Sequence, residues 1–515
     1  MKKSRHLPLL AFVSFLLILS SCGTQKHIVT YTDTQYPKHE FRGAWLSTAW
    51  QNRYKNMDAQ MMQSYLVTTL DQLQEMGINA VIFQARPQAD AFYRPGLEPW
   101  SAWMTGTQGT PPDKYFDMLD FLTKECHKRN MELHAWLNPY RVTISVNDKL
   151  ASNHLYYREP SRFVEFDGKI YFDPGIPANR EYICAVVRDI VRRYQVDAIH
   201  MDDYFYPYPV AGKEFPDENS FLAHGLKQGF EAGERAAWRR NNVNQLVRDI
   251  KMTIASIKPW VRFGISPFGI YRNKANTPDG SGSDTRGLQN YDDLYADVTL
   301  WAKNGWIDYN MPQVYWEIGH NAADYNTLVK WWGENSHDIP LYIGQDVKRT
   351  MDAVSTTRRS QLSDKMMLSR ATPQVQGNCF WPAYELQDNY KNIANELVND
   401  FHKYPALIPP YVHMHHKQPQ RVKNLQEKYT EKTHQLTWKS NKNSFDPETA
   451  LYFVIYRFGK GEKENLNNPQ HIVGFTRDSF YDLPYEGGKA EYKYVITAVD
   501  AFHNESKGVS KKVKL

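Results

Sequence analysis

Short apolar segments alternate with longer helical segments along most of the chain, and this alternation constrains the fold more than any other feature. Eight such units lie between residues 41 and 403. Alternating strands and helices form a parallel sheet covered by helices, and eight units close it into a (β/α)8 TIM barrel of the α/β class. An open doubly wound sheet is the rival, but no glycine-rich phosphate loop follows the first apolar segment. The predicted strands are 41–48, 80–86, 132–140, 198–204, 262–270, 308–316, 341–347 and 377–384. The predicted helices are 57–76, 115–129, 180–194, 235–257, 288–304, 325–336, 356–369 and 388–401.

The C-terminal part of the chain has a different pattern. Residues 404–420 contain four prolines and three histidines, and we predict an extended, solvated linker rather than a metal site there. From 421 to 515 the apolar segments are short, alternating and separated by turns, which predicts a small all-β, immunoglobulin-like sandwich. The segment 492–506 and the upstream Trp438 resemble a fibronectin type III module. The resemblance implies that Trp438 lies in the core and that the domain is a spacer or a binding surface.

The N-terminus carries a basic head followed by a mostly apolar run, 9–19, that is too short to span a membrane as a mature helix. The run closes in Leu19-Ser20-Ser21-Cys22, which resembles a bacterial lipobox. The resemblance implies that residues 1–21 are a signal peptide, that Cys22 is acylated, and that residues 22–40 form a lipidated tether. An ordinary cleaved leader with an incidental cysteine is the alternative. The membrane face stays open, and the absence of an acidic run after Cys22 favours the periplasmic face of the outer membrane.

Charge and cysteine content exclude several classes of protein. The formal net charge is +5, and loss of Lys2, Lys3 and Arg5 with the leader leaves +2, so we expect no nucleic-acid partner. The remaining cysteines, Cys126, Cys184 and Cys379, have no paired metal-ligand spacing, so we expect neither a metal nor a cofactor. They are predicted to be buried thiols, with a bridge between Cys126 and Cys184 left open.

The strongest candidates for chemistry lie where the predicted strands end, because barrel enzymes place reactive groups at the C-terminal face. Strand four ends in Asp202 and Asp203, and Glu317 lies one residue past strand six. A buried carboxylate is costly unless it is paired or used, and glycoside cleavage needs one proton-donating and one ionised carboxyl group. We therefore predict Asp202 or Asp203 as the ionised group, with Asp202 favoured. Glu317 is predicted as the general acid, since neighbouring aromatic rings disfavour its charge.

Polar and aromatic residues cluster at nearly every strand end, as expected for a pocket in which indole faces stack on sugar rings. Arg86 and Arg141 are predicted either to hold a carboxylate ionised or to bind an acidic substituent, with structural ion pairs as the equal alternative. The predicted substrate-binding residues are Trp45, Gln84, Arg86, His134, Trp136, Asn138, Arg141, His200, Tyr204, Gln313, Tyr315, Trp316, Asp346 and Trp381.

Five motifs in one order resemble the bacterial glycosyl-hydrolase-like family ten, over roughly residues 40 to 400. They are Phe41-Arg-Gly-Ala-Trp45, Gly77-Ile-Asn-Ala-Val-Ile-Phe-Gln-Ala-Arg86, Ala135-Trp-Leu-Asn-Pro-Tyr-Arg141, Phe172-Asp-Pro-Gly175 and His200-Met-Asp-Asp-Tyr-Phe-Tyr-Pro207. The resemblance implies a TIM barrel related to retaining glycosidases, often lipid-anchored, with a link in some members to peptide-free cell-wall glycan. The glutamate that ends strand four in many barrel glycosidases is replaced here by Asp202-Asp203.

The favoured interpretation is a lipid-anchored glycoside hydrolase of the bacterial cell envelope that cleaves an amino-sugar polysaccharide, above all peptidoglycan glycan. Its expected partners are the glycan and, through the lipid, a membrane, and the C-terminal domain is a candidate surface for an envelope protein partner. A hydrolase of dietary or host polysaccharide is the nearest alternative. A non-catalytic barrel that binds glycan as an envelope scaffold is the alternative from another class, and it predicts binding without release of reducing ends.

Overall fold

The computed structural model describes residues 36–355, 360–429, 433–443 and 446–515. Eight parallel strands form a closed barrel in which each strand pairs with its neighbours in the sequence, and the eighth pairs with the first. The predicted (β/α)8 barrel is thus confirmed. In chain order, barrel strands 1 to 8 are Phe41–Leu46, Ala80–Arg86, Glu132–Leu137, Ala198–Met201, Arg262–Ile265, Tyr309–Asn310, Leu341–Asp346 and Val375–Trp381.

Helices cover the outside of the barrel and bury one apolar stripe each against the strands. The first begins at an N-cap, Asp58, whose side chain accepts a hydrogen bond from the Met61 N–H, and it buries Leu66, Leu70 and Leu73. The α-helices are Ala59–Glu75, Ala102–Thr105, Met118–Lys128, Leu155–Arg158, Pro177–Arg193, Glu218–Ser220, Arg235–Ala255, Asn290–Asp293, Val298–Lys303, Tyr325–Glu334, Val347–Asp352, Leu362–Ala371, Ala383–Gln387 and Ile393–Glu396.

Several elements are shorter than the sequence predicts, and one helix and one strand differ in ways that matter for the loops. The predicted helix 288–304 is two helices, because Tyr295 has a φ of 55° and Asp297 starts a new helix by accepting from the Leu300 N–H. The predicted strand 308–316 is reduced to Tyr309–Asn310. Pro312 has no N–H for the ladder and interrupts the strand, although Gln313 beyond it still forms parallel bridges to Phe268 and Gly344. The loops that carry functional side chains therefore begin earlier than expected.

The C-terminal residues form two antiparallel sheets. The three-stranded sheet contains Lys423–Tyr429, His434–Lys439 and Phe480–Asp482, and the four-stranded sheet contains Tyr452–Gly459, Ile472–Thr476, Glu491–Val499 and Val509–Lys514. Trp438 is buried between them and lies 5.1 Å from the ring of Phe453. The predicted all-β sandwich is confirmed.

Residues 404–420 contain no helix or strand, but they are not the solvated spacer that the prolines predict. Leu407, Ile408 and Tyr411 are buried, and the Tyr411 hydroxyl lies 2.9 Å from that of Tyr342 in barrel strand 7. His39 bridges Leu407, so the end of the predicted tether is also packed against this segment. The barrel and the C-terminal sheets accordingly form one compact unit.

The thiols of Cys126 and Cys184 are both buried and free, which resolves the alternative of a bridge between them. Among the described residues, no helix is long and apolar enough to cross a membrane. The predicted leader, the predicted acylation site Cys22 and most of the predicted tether lie outside the described residues.

Candidate active site

A cavity of about 290 Å³ opens at the C-terminal ends of the barrel strands, where the fold class places active sites. Two carboxyl groups, several aromatic rings and one guanidinium face it. The lining residues are Trp45, Trp136, Asp202, Asp203, Tyr204, Tyr208, Ser266, Phe268, Gln313, Tyr315, Trp316, Arg349 and Trp381. Nine of these thirteen were predicted from the sequence as catalytic or substrate-binding residues.

Asp202 follows directly after barrel strand 4 and is buried among hydrogen-bond donors. Trp136 Nε1 donates to its Oδ2 over 3.0 Å, Asn138 Nδ2 lies 3.3 Å from both oxygens, and the Tyr204 N–H donates to Oδ1 over 3.3 Å. Burial raises the pKa of Asp202, while the charge of Arg141 and these donors oppose the rise. Three donors and a nearby cation suit a carboxylate that works in its ionised form.

Asp203 has a different environment. Burial, followed by the neighbouring charge of Asp202, raises the pKa of Asp203 from its ordinary 3.8 to about 7. Gln313 Nε2 donates to Oδ1 over 3.0 Å, and the Tyr208 hydroxyl is hydrogen-bonded to Oδ2. The amide nitrogen can only donate, whereas the hydroxyl can also accept, so the carboxyl proton belongs on Oδ2. Asp203 is therefore equipped to hold and release a proton near neutral pH.

Aromatic rings form the walls of the cavity. Trp45 and Trp136 are buried at its base, and Trp136 meets Trp381 edge to face at 6.0 Å. Trp316 packs edge to face against Phe268 at 5.4 Å, and a Cβ on Gly269 would lie 2.6 Å from its ring. A glycine at this position is thus needed for the ring to reach the wall. Flat apolar walls with a few polar groups at the base suit a pyranose ring.

Residues 40–361 match the model of the family described as Glycosyl hydrolase-like 10, which is more than half of the chain. The chain belongs to the glycosyl hydrolase-like 10 family. This confirms the resemblance that the five sequence motifs predicted. With its closed barrel, this glycosyl hydrolase-like 10 protein is a glycoside hydrolase by class.

Two relatives of this glycosyl hydrolase-like 10 chain span much of its length. It is 36% identical to the glycosyl hydrolase YngK of Bacillus subtilis strain 168, over 98% of this chain and 99% of that one. It is 35% identical to the glycosyl hydrolase DigH of Escherichia coli K12, over 67% of this chain and 83% of that one. Among solved structures, the PgaB (BpsB) glycoside hydrolase domain of Bordetella bronchiseptica superimposes with a TM-score of 0.48 at 11% identity, covering 70% of this chain and 99% of that one.

Glu317, predicted as the general acid, is not among the residues that line the cavity of this glycosyl hydrolase-like 10 protein. It is half-buried, and its charge acts on the buried Lys365 instead. Burial lowers the pKa of Lys365 to about 7, and the charges of Asp346 and Glu317 oppose that shift. Gln313, Tyr315 and Trp316 line the cavity, whereas Glu317 follows them in the loop and lies outside the lining. Asp203, by contrast, lines the cavity.

Several other predicted substrate-binding residues support the loops instead of lining the cavity. Arg86 forms a buried ion pair with Glu98 at 2.5 Å, which bears out the structural alternative for this arginine. Gln84 Oε1 accepts from the Thr48 and Ala49 N–H groups and fixes the loop after barrel strand 1. Asp346 is a helix N-cap, accepting from the Arg349 N–H over 2.8 Å. These three side chains hold the frame of the site.

Arg141 and two histidines lie next to the cavity without lining it. Arg141 donates to the Pro87 carbonyl, and its guanidinium lies 5.2 Å from the Trp50 ring and 5.3 Å from the Tyr204 ring. His134 and His200 are fully buried in the barrel interior beneath the pocket. The charge of Arg141 thus opposes the rise in the pKa of Asp202 that burial causes. The two histidines are hydrogen-bonded to Tyr309, and His200 is also bonded to Ser266 in the cavity wall.

Four residues, Tyr208, Ser266, Phe268 and Arg349, line the cavity but are absent from the predicted set. Ser266 directly follows barrel strand 5. Tyr208 lies in the aromatic loop after Asp203, and this closeness to two acids in the sequence could have identified it as a site residue. Phe268 lies three residues beyond the last residue of barrel strand 5, Ile265, and Arg349 lies in the first turn of a helix. Neither position differs from an ordinary loop or helix residue in the sequence, so only the fold brings them to the site.

Replacing Trp316 with Ala should weaken glycan binding about tenfold, which corresponds to about 1.4 kcal/mol. The ring lines the cavity but is only half-buried, so its loss removes a stacking surface and little core. Calorimetric titration with a short glycan and a thermal melt measure the two effects. Trp301→Ala is the control, because Trp301 is fully buried and its loss should cost about 3–5 kcal/mol of stability. A larger melting shift for Trp316→Ala than for Trp301→Ala would contradict the assignment.

Proposed function

We propose that this protein is a lipid-anchored glycoside hydrolase of the bacterial cell envelope that cleaves an amino-sugar polysaccharide, with peptidoglycan glycan strands as the natural substrate. Asp203 is the general acid, and Asp202 is the ionised carboxylate that orients the substrate. Family membership supports the reaction class, and the arrangement of the acids supports the kind of sugar.

The observation that carries the choice of sugar is the placement of the carboxyl groups. Asp202 and Asp203 follow each other after barrel strand 4, and no third carboxyl group lines the cavity among the described residues. Retaining glycosidases ordinarily need a carboxylate nucleophile opposite the acid, except where the substrate provides its own nucleophile. A 2-acetamido group can do this, and both sugars of peptidoglycan carry one.

The chemistry follows from these positions. Asp203 donates its proton to the glycosidic oxygen as the bond to the anomeric carbon breaks. The acetamido carbonyl oxygen attacks the anomeric carbon and forms a cyclic oxazolinium ion, while Asp202 accepts a hydrogen bond from the acetamido N–H. Water then opens this ring at the anomeric carbon, and the ionised Asp203 takes a proton from the water. The configuration at the anomeric carbon is retained.

The same arrangement weighs against most dietary polysaccharides and against a non-catalytic scaffold. Plant glucans carry a hydroxyl group at carbon 2 and cannot supply the internal nucleophile, which disfavours most dietary polysaccharides. A scaffold that only binds glycan has no need of a carboxyl group whose pKa burial raises to about 7.

The test is release of reducing ends from intact sacculi, amidase-treated sacculi and a panel of plant and host polysaccharides. We expect release from the amidase-treated sacculi and none from hexose polymers that lack acetamido groups. Release from a plant glucan at a comparable rate would contradict the proposed substrate. Binding to sacculi without release would favour the scaffold.

The proposed lipid anchor rests on the lipobox, and Cys22→Ala should shift the full-length protein from the membrane to the soluble fraction. The reason is that the only proposed acylation site is removed while the leader remains. Ser21→Ala is the control, since a small residue before the cleavage site is retained and partitioning should not change. Membrane fractionation and immunoblotting measure both. Membrane retention of Cys22→Ala would show that another feature holds the protein there.

A further inference from the structure

A continuous line of buried hydrogen bonds runs through the barrel interior, from the C-terminal sheets to the wall of the catalytic cavity. His503, in a turn of the C-terminal domain, bonds to Glu132 Oε1 over 2.6 Å, and Glu132 Oε2 lies 2.9 Å from His134 Nε2. The Tyr309 hydroxyl lies 2.8 Å from His134 Nδ1 and 3.0 Å from His200 Nδ1. These five residues are not among those that line the cavity.

The cavity end of the line is formed by two residues that line the pocket. Ser266 Oγ lies 2.9 Å from His200 Nε2, and Trp45 Nε1 donates to the same nitrogen over 3.3 Å. The Ser266 carbonyl accepts from Gln313 Nε2 over 2.8 Å, and that amide nitrogen also donates to Asp203 Oδ1 over 3.0 Å. His200 is thus three contacts from the proposed acid.

The direction of every hydrogen bond in the line is fixed from its two ends. The Trp45 indole can only donate, so His200 Nε2 must be the acceptor and the proton must lie on Nδ1. His200 Nδ1–H therefore donates to the Tyr309 hydroxyl, which donates in turn to His134 Nδ1. His134 Nε2–H then donates to Glu132.

Glu132 is an effective terminal acceptor because its charge is maintained inside the barrel. Burial alone would raise its pKa, but Arg262, His503 and His134 hold the pKa of Glu132 well below its usual range. Arg262 is hydrogen-bonded to Oε1, which leaves Oε2 for His134. A carboxylate that orients a histidine and fixes its tautomer is a recurrent device in enzymes.

We propose that Glu132 and Tyr309 are positioning residues for catalysis, which fix the Nδ1–H tautomer of His200 and through it the placement of Ser266, Gln313 and the Asp203 carboxyl. This rests on the proposed role of Asp203 as the acid. The turn that carries His503 connects the C-terminal sheets to the same line, so these sheets support the active site from below.

Tyr309→Phe interrupts the line without changing any charge. The matched control is Tyr342→Phe, because Tyr342 is also fully buried and its hydroxyl bonds to Tyr411, outside the line. We expect kcat on amidase-treated sacculi to fall about tenfold in Tyr309→Phe with KM nearly unchanged, as for other supporting hydrogen-bond partners. Tyr342→Phe should keep wild-type kcat. Equal kcat values for the two folded variants would overturn the proposal.

Nitrogen-15 NMR of histidine-labelled protein gives a second measurement that needs no glycan. The wild-type spectrum should show His200 as the neutral Nδ1–H tautomer, with its signals assigned by their loss in His200→Asn. Tyr309→Phe removes the acceptor of the His200 Nδ1–H and should shift that nitrogen signal, whereas Tyr342→Phe should leave it unchanged. An Nε2–H tautomer in the wild-type protein would overturn the proposal even if Tyr309→Phe does not fold. Activity retained by Asp203→Asn with the predicted tautomer present would instead refute only the role of Asp203.

Discussion

Asp203→Asn should lower kcat by about 10²–10⁴-fold while the protein remains folded. The asparagine keeps the shape of the carboxyl group and can still bond to Gln313 and Tyr208, but it has no acidic proton for the leaving oxygen. Steady-state turnover of amidase-treated sacculi, with a thermal melt of each variant, measures the effect. Glu317→Gln is the matched control and should keep more than about a tenth of the wild-type rate, since Glu317 lies outside the cavity. The opposite ranking of the two variants would reinstate Glu317 as the acid.

The pKa of Asp203 gives this substitution a pH signature. In the wild-type protein the rate should fall as pH rises through about 7, because the acid loses its proton there. The folded state binds this proton more tightly than the unfolded chain does, so the group's contribution to stability is complete below about pH 4 and is lost as pH rises to about 7. Asparagine does not titrate. Asp203→Asn should therefore gain melting temperature relative to wild type above pH 7, and no such gain would contradict the raised pKa.

A chain that ends at Tyr404 should be insoluble or should melt without cooperativity. It loses Leu407, Ile408 and Tyr411, which are buried, and full burial of such a side chain contributes about 1.5–3 kcal/mol. Three such losses approach the whole stability of an ordinary domain, about 5–15 kcal/mol. His503, which helps to hold Glu132 ionised, is lost as well.

The matched control for this truncation is a chain that begins at Tyr36 and keeps the C-terminus, which should fold and melt cooperatively. Soluble yield, circular dichroism and a thermal melt distinguish the two shortened chains. A soluble barrel with a cooperative melt after truncation at Tyr404 would show that the C-terminal sheets are dispensable for folding.

The barrel was predictable from the sequence because its signal is local. Eight apolar segments, each followed by a helical stretch, predict that the strands follow one another around the barrel in sequence order. Two adjacent acids after an apolar strand indicate which face of the barrel carries the active site. The packing of residues 404–420 was not predictable in this way. The four prolines predict only an extended local backbone. The burial of Tyr411 depends on contact with Tyr342, which is far away in the sequence.

The choice of acid required the structure for a related reason. From the sequence, Glu317 and Asp203 both follow apolar strands, and aromatic neighbours favour Glu317. In the structure, however, Tyr315 and Trp316 line the cavity and Glu317, the next residue, does not. The hydrogen bond between Asp203 and Gln313 joins residues from strands 4 and 6, and no local pattern predicts it.

The most direct test of this account uses one glycan in two chemical forms. Amidase-treated peptidoglycan glycan is compared with the same material after its acetamido groups have been hydrolysed to amines, and reducing ends are counted over time. The account predicts cleavage of the acetylated form and loss of cleavage in the deacetylated form, together with competitive inhibition by a thiazoline analogue of the oxazolinium ion. Equal cleavage of the two forms would contradict participation of the acetamido group and would require a nucleophile from the protein.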